Sequence, residues 1–590
     1  MSETLPPLEK SSSGNQKIAE ILFWTVAVLL LFLNLGIGGL RGSEGRWAEV
    51  VREMFLTGDF LHPTINFEPY FDKPLFSYWA ISAFTAVTGG VVTELLIRLP
   101  SAVAGLVSLW ATRLIARRFA DRNTELWSSW ILLTVYSFAF WGRLGEADML
   151  NLAFGTLAAG WYVIKRDKTD LVSYLVFGLL CAVGGQTKGL SSVAVPALAV
   201  LIDLVLNRTW KKHLNWKLLV AVLISVGIYL TPFLLAALKK DYSDNGLALV
   251  FQENIQRYFN SLDHKQRFYA YFIHLPQLFL PWTPFLLLAL ICAAARWKRL
   301  GPDDRWLLLS IAAIFLIFSL SDSKRVYYIL PILPFCAVLT ARFLLSETAG
   351  RLEKLRDLLL KCYAGAIPVL AVLLLAGAAV FGFGKAKLLP FELPPDVLRL
   401  IFASVVLTAL ILLVVWLIFI RRLEPGRFPG GKTGRNFALS ASACAVLLTV
   451  FFGVLMPRIN EDLRTEKKFF TALRDDLDSG RIRPQHLIFF HHNYTNASFY
   501  LRRTGKIPVL DSEKKTDEKT VGRELEAKLK DGLRGEIVLV GQLRYFRNIQ
   551  SPALRQHVLD RQFRTEPSGP WENAKKNGKK NTVIVLKEQN

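Results

Sequence analysis

Apolar residues occur in long unbroken runs over most of the chain, rather than in the alternating pattern typical of soluble sheet proteins. Such runs predict membrane-spanning helices, because about 20 apolar residues are needed to cross the hydrocarbon core of a bilayer. The runs that are long enough, or nearly so, lie near residues 18–40, 96–117, 125–142, 148–165, 170–187, 189–207, 217–238, 270–296, 305–321, 326–346, 363–384, 398–420 and 437–456. The pattern predicts a polytopic α-helical membrane protein with about 13 transmembrane helices.

The first run is too long for the core of a signal peptide, and no small-residue cleavage site follows it. We therefore expect it to be retained as the first span, preceded by a short cytoplasmic tail, residues 1–17. The predicted transmembrane domain then covers residues 18–456.

Residues 75–92 form another apolar run, and the charges around the other spans indicate whether it crosses the membrane. The basic loops "RRFADR", "KRDK", "RTWKKH", "RWKRLGPDDR" and "RRLEPGRFPGGKTGR" recur after every second span, which is the positive-inside pattern of cytoplasmic loops. A crossing at 75–92 would invert the first span relative to this pattern. We therefore predict one long external loop, residues 41–93, with helices that lie on the membrane surface, "RWAEVVREMF" among them.

The last part of the chain, residues 457–590, contains no apolar run of spanning length. "EKKFFTALRDDL" has the pattern of a helix, and "HLIFFHH", "EIVLVGQ" and "NTVIVLK" have the pattern of short buried strands. We expect a small α/β domain, and counting the spans places it outside with the first loop.

Composition narrows the class further. The chain has 590 residues, of which 52% are hydrophobic and 20% charged, with a net charge of +23. The basic residues cluster at the ends of apolar runs, which suits membrane topology and anionic lipids and argues against nucleic acid as a partner. The five cysteines are scattered through apolar segments without a CxxC pair, so they predict no metal site.

One motif suggests a different chemistry. "GRFPGGKT", Gly426–Thr433, matches the phosphate-binding loop of nucleotide-binding proteins. That motif requires a buried strand before it and a helix after it in an α/β domain, whereas here it lies between two predicted spans. We interpret it as a flexible basic cytoplasmic loop.

Unusual polar residues gather on the predicted external face. A cation at the end of a span is usually a membrane anchor, but the positive-inside rule predicts few cations on this face. An anionic ligand group would explain them, and carboxylates beside them suit a reacting centre on which positive charge develops. Glycosyl transfer from a lipid phosphate meets both requirements. The residues are Glu44, Arg46, Asp72, Lys73, Glu146, Asp148, Lys188, Arg257, Lys324, Arg325, Tyr327 and Tyr328.

These segments resemble a known family. "SEGRWAEVVREMFLTGDFLHP" followed by "YFDKPLFSYW" resembles the first external loop of bacterial aminoarabinose transferases and related protein-mannosyltransferase-like GT-C glycosyltransferases. "EADML", "QTKG", "ENIQRYF", "LPWTPFLLL" and "SDSKRVYYILP" resemble later motifs of that family, in the same order. The resemblance is strong over about residues 18–346. It implies 13 spans with the GT-C fold and an external α/β domain.

The resemblance also implies an activity. Enzymes of this kind transfer a sugar from undecaprenyl phosphate on the periplasmic side, with inversion at the anomeric carbon. In the aminoarabinose enzymes the acceptor is a phosphate of lipid A. By matching motifs, Asp148 resembles the catalytic carboxylate of the second loop, Lys73 the phosphate-binding lysine, and Arg46 the arginine of the first motif.

The remaining site predictions combine this resemblance with the charge pattern. We expect Lys188, Arg257, Lys324 and Tyr328 to assist in binding the donor phosphate, and Asp72, Glu146 and Ser43 to support the site. Asp72 stands where the family has Glu. A divalent metal at Asp72, with a histidine such as His62 or His274, stays open, and no cofactor is otherwise expected.

Ser43 is the main departure from the family, which usually has a catalytic Asp there. Either Glu44 takes over that role, or Asp148 acts with less help, or activity is altered. An acceptor phosphate is already nucleophilic at neutral pH, so loss of one carboxylate would harm a phosphate acceptor less than a hydroxyl acceptor.

The sequence thus predicts a monomeric multi-pass enzyme of the bacterial inner membrane, with a cytoplasmic N-terminus and a periplasmic C-terminal domain. Its expected partners are an undecaprenyl-phosphate sugar, lipid A or another glycolipid, and membrane lipids. One alternative is a transferase of the same fold that moves a hexose or pentose to another glycolipid, a cell-wall polymer or a protein hydroxyl. A second is a transporter or lipid-binding protein without chemistry.

Overall fold

The protein is a helical membrane protein with a small sheet near its C-terminus. The computed structural model describes residues 14–239, 265–347, 350–382, 395–463, 465–483, 487–490, 495–510, 537–542, 552, 556, 560, 562–565 and 581–586. The helices of the membrane body are α1 Gly14–Phe32, α2 Glu44–Thr57, α3 Phe76–Ala86, α4 Glu94–Ala116, α5 Arg122–Leu133, α6 Tyr136–Trp141, α7 Asp148–Lys165, α8 Leu171–Lys188, α9 Ser191–Leu206, α10 Trp210–His213, α11 Trp216–Ala236, α12 Ala270–Leu278, α13 Thr283–Ala295, α14 Pro302–Leu320, α15 Leu333–Leu344, α16 Arg351–Gly382, α17 Pro395–Arg421 and α18 Lys432–Val450.

Within the described residues, seven helices are long and apolar enough to cross a membrane. The multi-pass character is therefore confirmed, whereas the full count of about 13 spans stays a prediction. The seven are Glu94–Phe119, Leu171–Lys188, Trp216–Ala236, Val326–Leu344, Arg351–Val380, Pro395–Arg421 and Lys432–Glu461.

Two of the predicted spans are interrupted. The run 125–142 is divided between α5 and α6, and the run 270–296 between α12 and α13. The two breaks lie against each other: the Tyr136 amide donates to the Leu280 carbonyl at 3.0 Å, and the Trp282 indole donates to the Thr134 hydroxyl at 2.9 Å. Polar groups freed by each break are thus satisfied by the other, as an apolar environment requires.

The predicted first external loop has its own short elements. It contains α2, a two-stranded hairpin of β1 Thr64–Ile65 and β2 Glu68–Pro69, and α3. α3 has 11 residues and is only about 16 Å long at 1.5 Å per residue, about half of what a bilayer core requires. The expectation that 75–92 does not form a full span agrees with this length, and "RWAEVVREMF" is confirmed as a helix.

The predicted cytoplasmic loops meet at one end of the helix bundle. Arg118 contacts Asp203 and donates to Asp303 at 2.7 Å, while Arg166 lies 3.5 Å from Asp303. These ion pairs join three of the basic loops. The loops that the sequence assigns to one face of the membrane therefore lie close together in the structure. In the last of these loops, "GRFPGGKT" follows helix α17 rather than a strand, as expected for a connecting loop.

The C-terminal region combines helices with a mixed sheet. After α19 Met456–Leu463 and α20 Lys467–Asp478 come β3 Leu487–Phe490, α21 Thr495–Leu501, β4 Val509–Leu510, β5 Ile537–Gln542, β6 Gln562–Thr565 and β7 Asn581–Leu586. The sheet order is β4-β3-β5-β7-β6, with β3 parallel to β4 and β5 and the other pairs antiparallel. The predicted helix and three predicted strands are confirmed, whereas the domain boundary at 457 stays a prediction.

This region packs on the first external loop. Asn66 donates to the Ile507 carbonyl at 2.7 Å and accepts from the Ile507 amide at 2.8 Å. Arg52 donates to the Arg503 carbonyl at 2.8 Å, and the Leu40 amide donates to the Tyr500 hydroxyl at 2.6 Å. One hydrophobic core joins α2, α3, α20 and the sheet. The loop is therefore held between the membrane helices and the C-terminal sheet.

A buried carboxyl in this loop predicts a pH-dependent stability. Glu53 accepts hydrogen bonds from the Thr64 hydroxyl and from the Phe67 amide at 3.0 Å. Burial, and secondly the nearby Glu49, raise the pKa of Glu53 from 4.5 to about 7. Because the neutral form is favoured in the folded state, this stabilisation is complete below pH 4.5 and is lost as the pH rises through about 7.

We therefore expect Glu53→Gln to raise the free energy of unfolding by about 1–3 kcal/mol at pH 8 and to change it little at pH 5. The glutamine stays neutral and its oxygen can accept the same hydrogen bonds. Thermal unfolding of the purified protein at the two pH values measures the difference. Glu68→Gln, at an exposed carboxylate, serves as the control, and an equal effect of Glu53→Gln at both pH values would contradict the prediction.

Candidate active site

A polar cavity of about 490 Å³ lies between the first external loop and the ends of α7 and α8. It brings together side chains from four separate segments, and it contains four cations and three carboxylates. Its lining residues are Ser43, Arg46, Trp47, Asp72, Lys73, Glu146, Ala147, Asp148, Lys188, Arg325, Tyr327 and Tyr328.

The first external loop supplies one cluster of charges. Arg46, in the first turn of α2, donates to Tyr70 at 3.0 Å and to Asp72 at 3.1 Å. Lys73 lies 3.2 Å from the Asp72 carboxylate and donates to the Asp72 carbonyl at 2.9 Å. The carboxylate therefore holds two cations side by side at the cavity wall, where a phosphate could bind both.

Helices α7 and α8 supply the second cluster. Asp148 begins α7 and pairs with Lys188, the last residue of α8, and both side chains are largely buried. The Lys188 ammonium lies over the rings of Tyr327 and Tyr328, at 4.4 and 4.8 Å from their centroids. Cation–π contacts of this kind hold an ammonium in place without neutralising it. Asp148 and Lys188 were both predicted from the sequence, and both line the cavity.

Ser43 and Glu146 meet across the cavity. The Ser43 hydroxyl, just before α2, donates to the Glu146 carboxylate, which lies in the turn before α7. The Ser101 hydroxyl of α4 donates to the Glu146 carbonyl at 3.0 Å and fixes that turn. Burial, followed by the nearby Asp148, raises the pKa of Glu146 above its usual range.

Glu44 occupies a different place from the one expected of a catalytic group. Its carboxylate is fully buried, accepts from the Arg98 guanidinium at 2.8 and 2.9 Å, and accepts from the Gly145 amide at 2.9 Å. Burial alone would raise the pKa of Glu44, but the Arg98 guanidinium outweighs it and the net shift is downward. Arg98 also donates to four backbone carbonyls between Leu35 and Gly39. Glu44 does not line the cavity and instead connects α2 to α4.

Lys324, one of the predicted phosphate ligands, does not line the cavity. Lys324 is buried and donates to the carbonyls of Gln266 and Ser321, away from the cavity, whereas its neighbour Arg325 lines the cavity and donates to Tyr327 at 2.8 Å. The backbone at Arg325 is extended, so adjacent side chains point to opposite sides, and charge alone could not select between them. Arg257 lies outside the described residues.

The contacts of Asp72 and of the two histidines considered above give no support to a shared metal site. His62 contacts Asp59 at 2.8 Å, and His274 contacts Gln266 at 3.1 Å, while Asp72 faces Arg46, Tyr70 and Lys73. Among the residues that the structure describes, no group of three His, Cys, Asp or Glu side chains is arranged to hold a metal.

A larger, mainly apolar cleft of about 1170 Å³ adjoins the polar cavity. The two share Lys73, Asp148, Lys188, Tyr327 and Tyr328. The rest of the cleft is formed by α9, by the C-terminal part of α14 and by the segment that follows, including Leu190, Ala194, Ile317, Phe318, Leu330 and Pro331. An amphiphile could therefore place its apolar chain in the cleft and its charged head group in the cavity.

Comparisons with known proteins agree with this architecture. Residues 72–232 match the family described as dolichyl-phosphate-mannose-protein mannosyltransferase. The undecaprenyl phosphate-alpha-4-amino-4-deoxy-L-arabinose arabinosyl transferase 1 of Sodalis glossinidius is 28% identical over 457 residues, which cover 74% of this chain and 76% of that protein. The transferase of the same activity from Pseudomonas savastanoi pv. phaseolicola is 29% identical over 340 residues, covering 56% of this chain and 62% of that protein.

A solved structure extends the likeness to the whole fold. The crystal structure of ArnT from Cupriavidus metallidurans bound to undecaprenyl phosphate has a TM-score of 0.66 and 18% sequence identity, covering 97% of this chain and 98% of that one. The helical architecture and its order along the chain are therefore shared. Together the comparisons confirm the resemblance inferred from the sequence and the prediction of a membrane glycosyltransferase, with the fold of ArnT from Cupriavidus metallidurans.

Proposed function

We propose that the protein transfers a sugar from undecaprenyl phosphate to an acceptor at the external face of the bacterial inner membrane, with aminoarabinose or a similar sugar as the group transferred and a phosphate of lipid A as the acceptor. The observation that carries the proposal is the junction of the polar cavity with the apolar cleft, where Lys73, Asp148 and Lys188 line both. The activity named for the arabinosyl transferase relatives supports the choice of donor and of the sugar transferred, whereas the choice of acceptor rests on the resemblance of the sequence motifs.

The donor phosphate is held by the cations of the cavity. Lys73 and Arg46 approach it from the first loop, Lys188 from α8 and Arg325 from the segment before α15. As the bond between the anomeric carbon and the phosphate oxygen breaks, its electron pair passes to that oxygen. The cations then stabilise the leaving polyprenyl phosphate in a largely buried site, where such interactions are stronger than in water.

The carboxylate of Asp148 stabilises the positive charge that develops on the sugar. Positive charge develops on the sugar ring in an oxocarbenium-like transition state, and Asp148 lies at the junction where that ring would be placed. The acceptor oxygen attacks the anomeric carbon from the face opposite the phosphate, so the configuration inverts in a single displacement. Tyr327 and Tyr328 keep the Lys188 ammonium in place while it serves both Asp148 and the phosphate.

A transfer assay with the purified full-length protein tests the proposal. We expect label to pass from undecaprenyl-phosphate aminoarabinose to lipid A that carries free phosphates, and not to dephosphorylated lipid A. Undecaprenyl-phosphate hexoses and pentoses, with glycolipid and peptide acceptors, test the alternative substrates. Binding of undecaprenyl phosphate without transfer from any of these donors would contradict the proposed enzyme function and favour a lipid-binding protein.

A further inference from the structure

We propose that Glu146 is the proton-accepting carboxylate of this site. It belongs to the turn before α7 and lies beside Ser43 of the first loop. This inference rests on the proposed transfer reaction and assigns a catalytic role within it. The geometry that carries it is the direct contact between the Ser43 hydroxyl and the Glu146 carboxylate inside the polar cavity. Position 43 of the first loop carries no carboxylate, and Glu146, from the turn before α7, provides one beside it.

The three carboxylates of the cavity have different partners. Asp72 is engaged by Arg46 and Lys73, and Asp148 is paired with Lys188. Glu146, in the described part of the chain, is hydrogen-bonded by the neutral Ser43 hydroxyl and forms no ion pair with a lysine or arginine. A carboxylate held by a cation is a poor base because the cation stabilises its charged form. Glu146 is therefore the carboxylate of the cavity best suited to accept a proton.

The electrostatic surroundings favour the same role. Burial raises the pKa of Glu146 most, and the negative charges of Asp148 and Glu44 raise it further. The Ser43 hydrogen bond and the Lys188 ammonium lower it, but the net shift is upward. A base whose pKa is raised toward the working pH accepts protons more effectively. The other charged or titratable groups that face the cavity are Arg46, Asp72, Lys73, Arg325, Tyr327 and Tyr328.

Glu44, the carboxylate next to Ser43 in the sequence, is engaged in other contacts. Both of its oxygens accept from Arg98, and one also accepts from the Gly145 amide. Movement into the cavity would leave a buried guanidinium without its counter-charge. The Gly145 contact also fixes the turn that carries Glu146, so Glu44 positions the base without being the base.

The proposed step balances without a cofactor. Glu146 accepts the proton of the acceptor O–H as that oxygen bonds to the anomeric carbon, while the bond from this carbon to the donor phosphate breaks. A hydroxyl acceptor requires this base at every pH. A phosphate acceptor requires it only in the form that retains its last proton, which prevails below about pH 6.

The test compares Glu146→Gln with the double variant Ser43→Asp/Glu146→Gln in the transfer assay at pH 6 and pH 8, with labelled undecaprenyl-phosphate aminoarabinose and lipid A. We expect Glu146→Gln to lower kcat by about 100-fold at pH 6 with little change in the KM for the donor. We expect the double variant to regain at least ten-fold, because the introduced aspartate restores a carboxylate at the same place. Glu68→Gln, on the exposed face of the same loop, is the matched control and should retain full activity.

The outcomes separate this inference from the proposed function. A loss that shrinks at pH 8 supports Glu146 as the base for a phosphate acceptor, and an equal loss at both pH values supports it for a hydroxyl acceptor. Activity of Glu146→Gln within three-fold of the wild type at both pH values overturns the inference. So does a double variant that binds undecaprenyl phosphate normally but regains nothing. A wild-type protein inactive with every donor refutes the proposed function instead.

Discussion

Asp148→Asn is expected to lower sugar transfer by about 1000-fold while leaving the binding of undecaprenyl phosphate intact or tighter. The substitution preserves the size of the side chain but removes the negative charge that lies at the junction of cavity and cleft. Lys188 remains over its two tyrosines and loses its anionic partner, so its charge is more available to the donor phosphate. Turnover and lipid-binding measurements on the same purified protein separate the two effects.

Asp170→Asn provides the matched control. Asp170 caps the start of α8, at the opposite end of the helix from Lys188, and asparagine caps helices about as well as aspartate. This variant should bind donor and transfer sugar at the wild-type rate. Wild-type turnover in Asp148→Asn would contradict the role proposed for Asp148.

Arg98→Met is expected to lower the free energy of unfolding by about 3–5 kcal/mol. The change strands the fully buried Glu44 carboxylate and leaves the carbonyls between Leu35 and Gly39 without their donor. The first loop should then detach from α4, and transfer should fall with stability. Thermal unfolding in nanodiscs, followed by intrinsic fluorescence, measures the loss.

Two further variants identify the cause. Glu44→Gln/Arg98→Met should be more stable than Arg98→Met alone, since no unpaired charge remains buried. Arg117→Met, directly after the same helix, removes an exposed guanidinium that lies 3.4 Å from Glu125, and should cost at most about 1 kcal/mol. Equal losses of stability in Arg98→Met and Arg117→Met would contradict the weight given to the buried ion pair.

The pattern of apolar runs and basic loops was sufficient to predict the helical architecture. Residues 75–92 are apolar enough to be mistaken for a span, and only the charges of distant loops argued against a crossing. Apolar periodicity could not reveal the breaks between α5 and α6 or between α12 and α13, because each is stabilised by hydrogen bonds from the other, which a single segment does not encode.

The sequence predicted which residues line the site better than it predicted the contacts between them. Asp148, Lys188, Lys73, Arg46 and Tyr328 all line the cavity, as their grouping on the predicted external face led us to expect. The sequence could not distinguish Glu44 from Glu146 as the carboxylate available for catalysis. That distinction depends on Arg98, which lies more than 50 residues after Glu44 and resembles an ordinary charge within an apolar run.

The contacts of Asn66 with Ile507 also set an order of events during synthesis. The two residues are 441 positions apart, so the loop that carries Arg46, Asp72 and Lys73 leaves the ribosome long before the segment that contacts it. At elongation rates of roughly 5–20 residues per second, the interval is on the order of 20 to 90 seconds. The membrane helices can insert during that time, whereas the loop gains its hydrogen bonds with Ile507 only afterwards. The contacts between the loop and the C-terminal region therefore form late in synthesis.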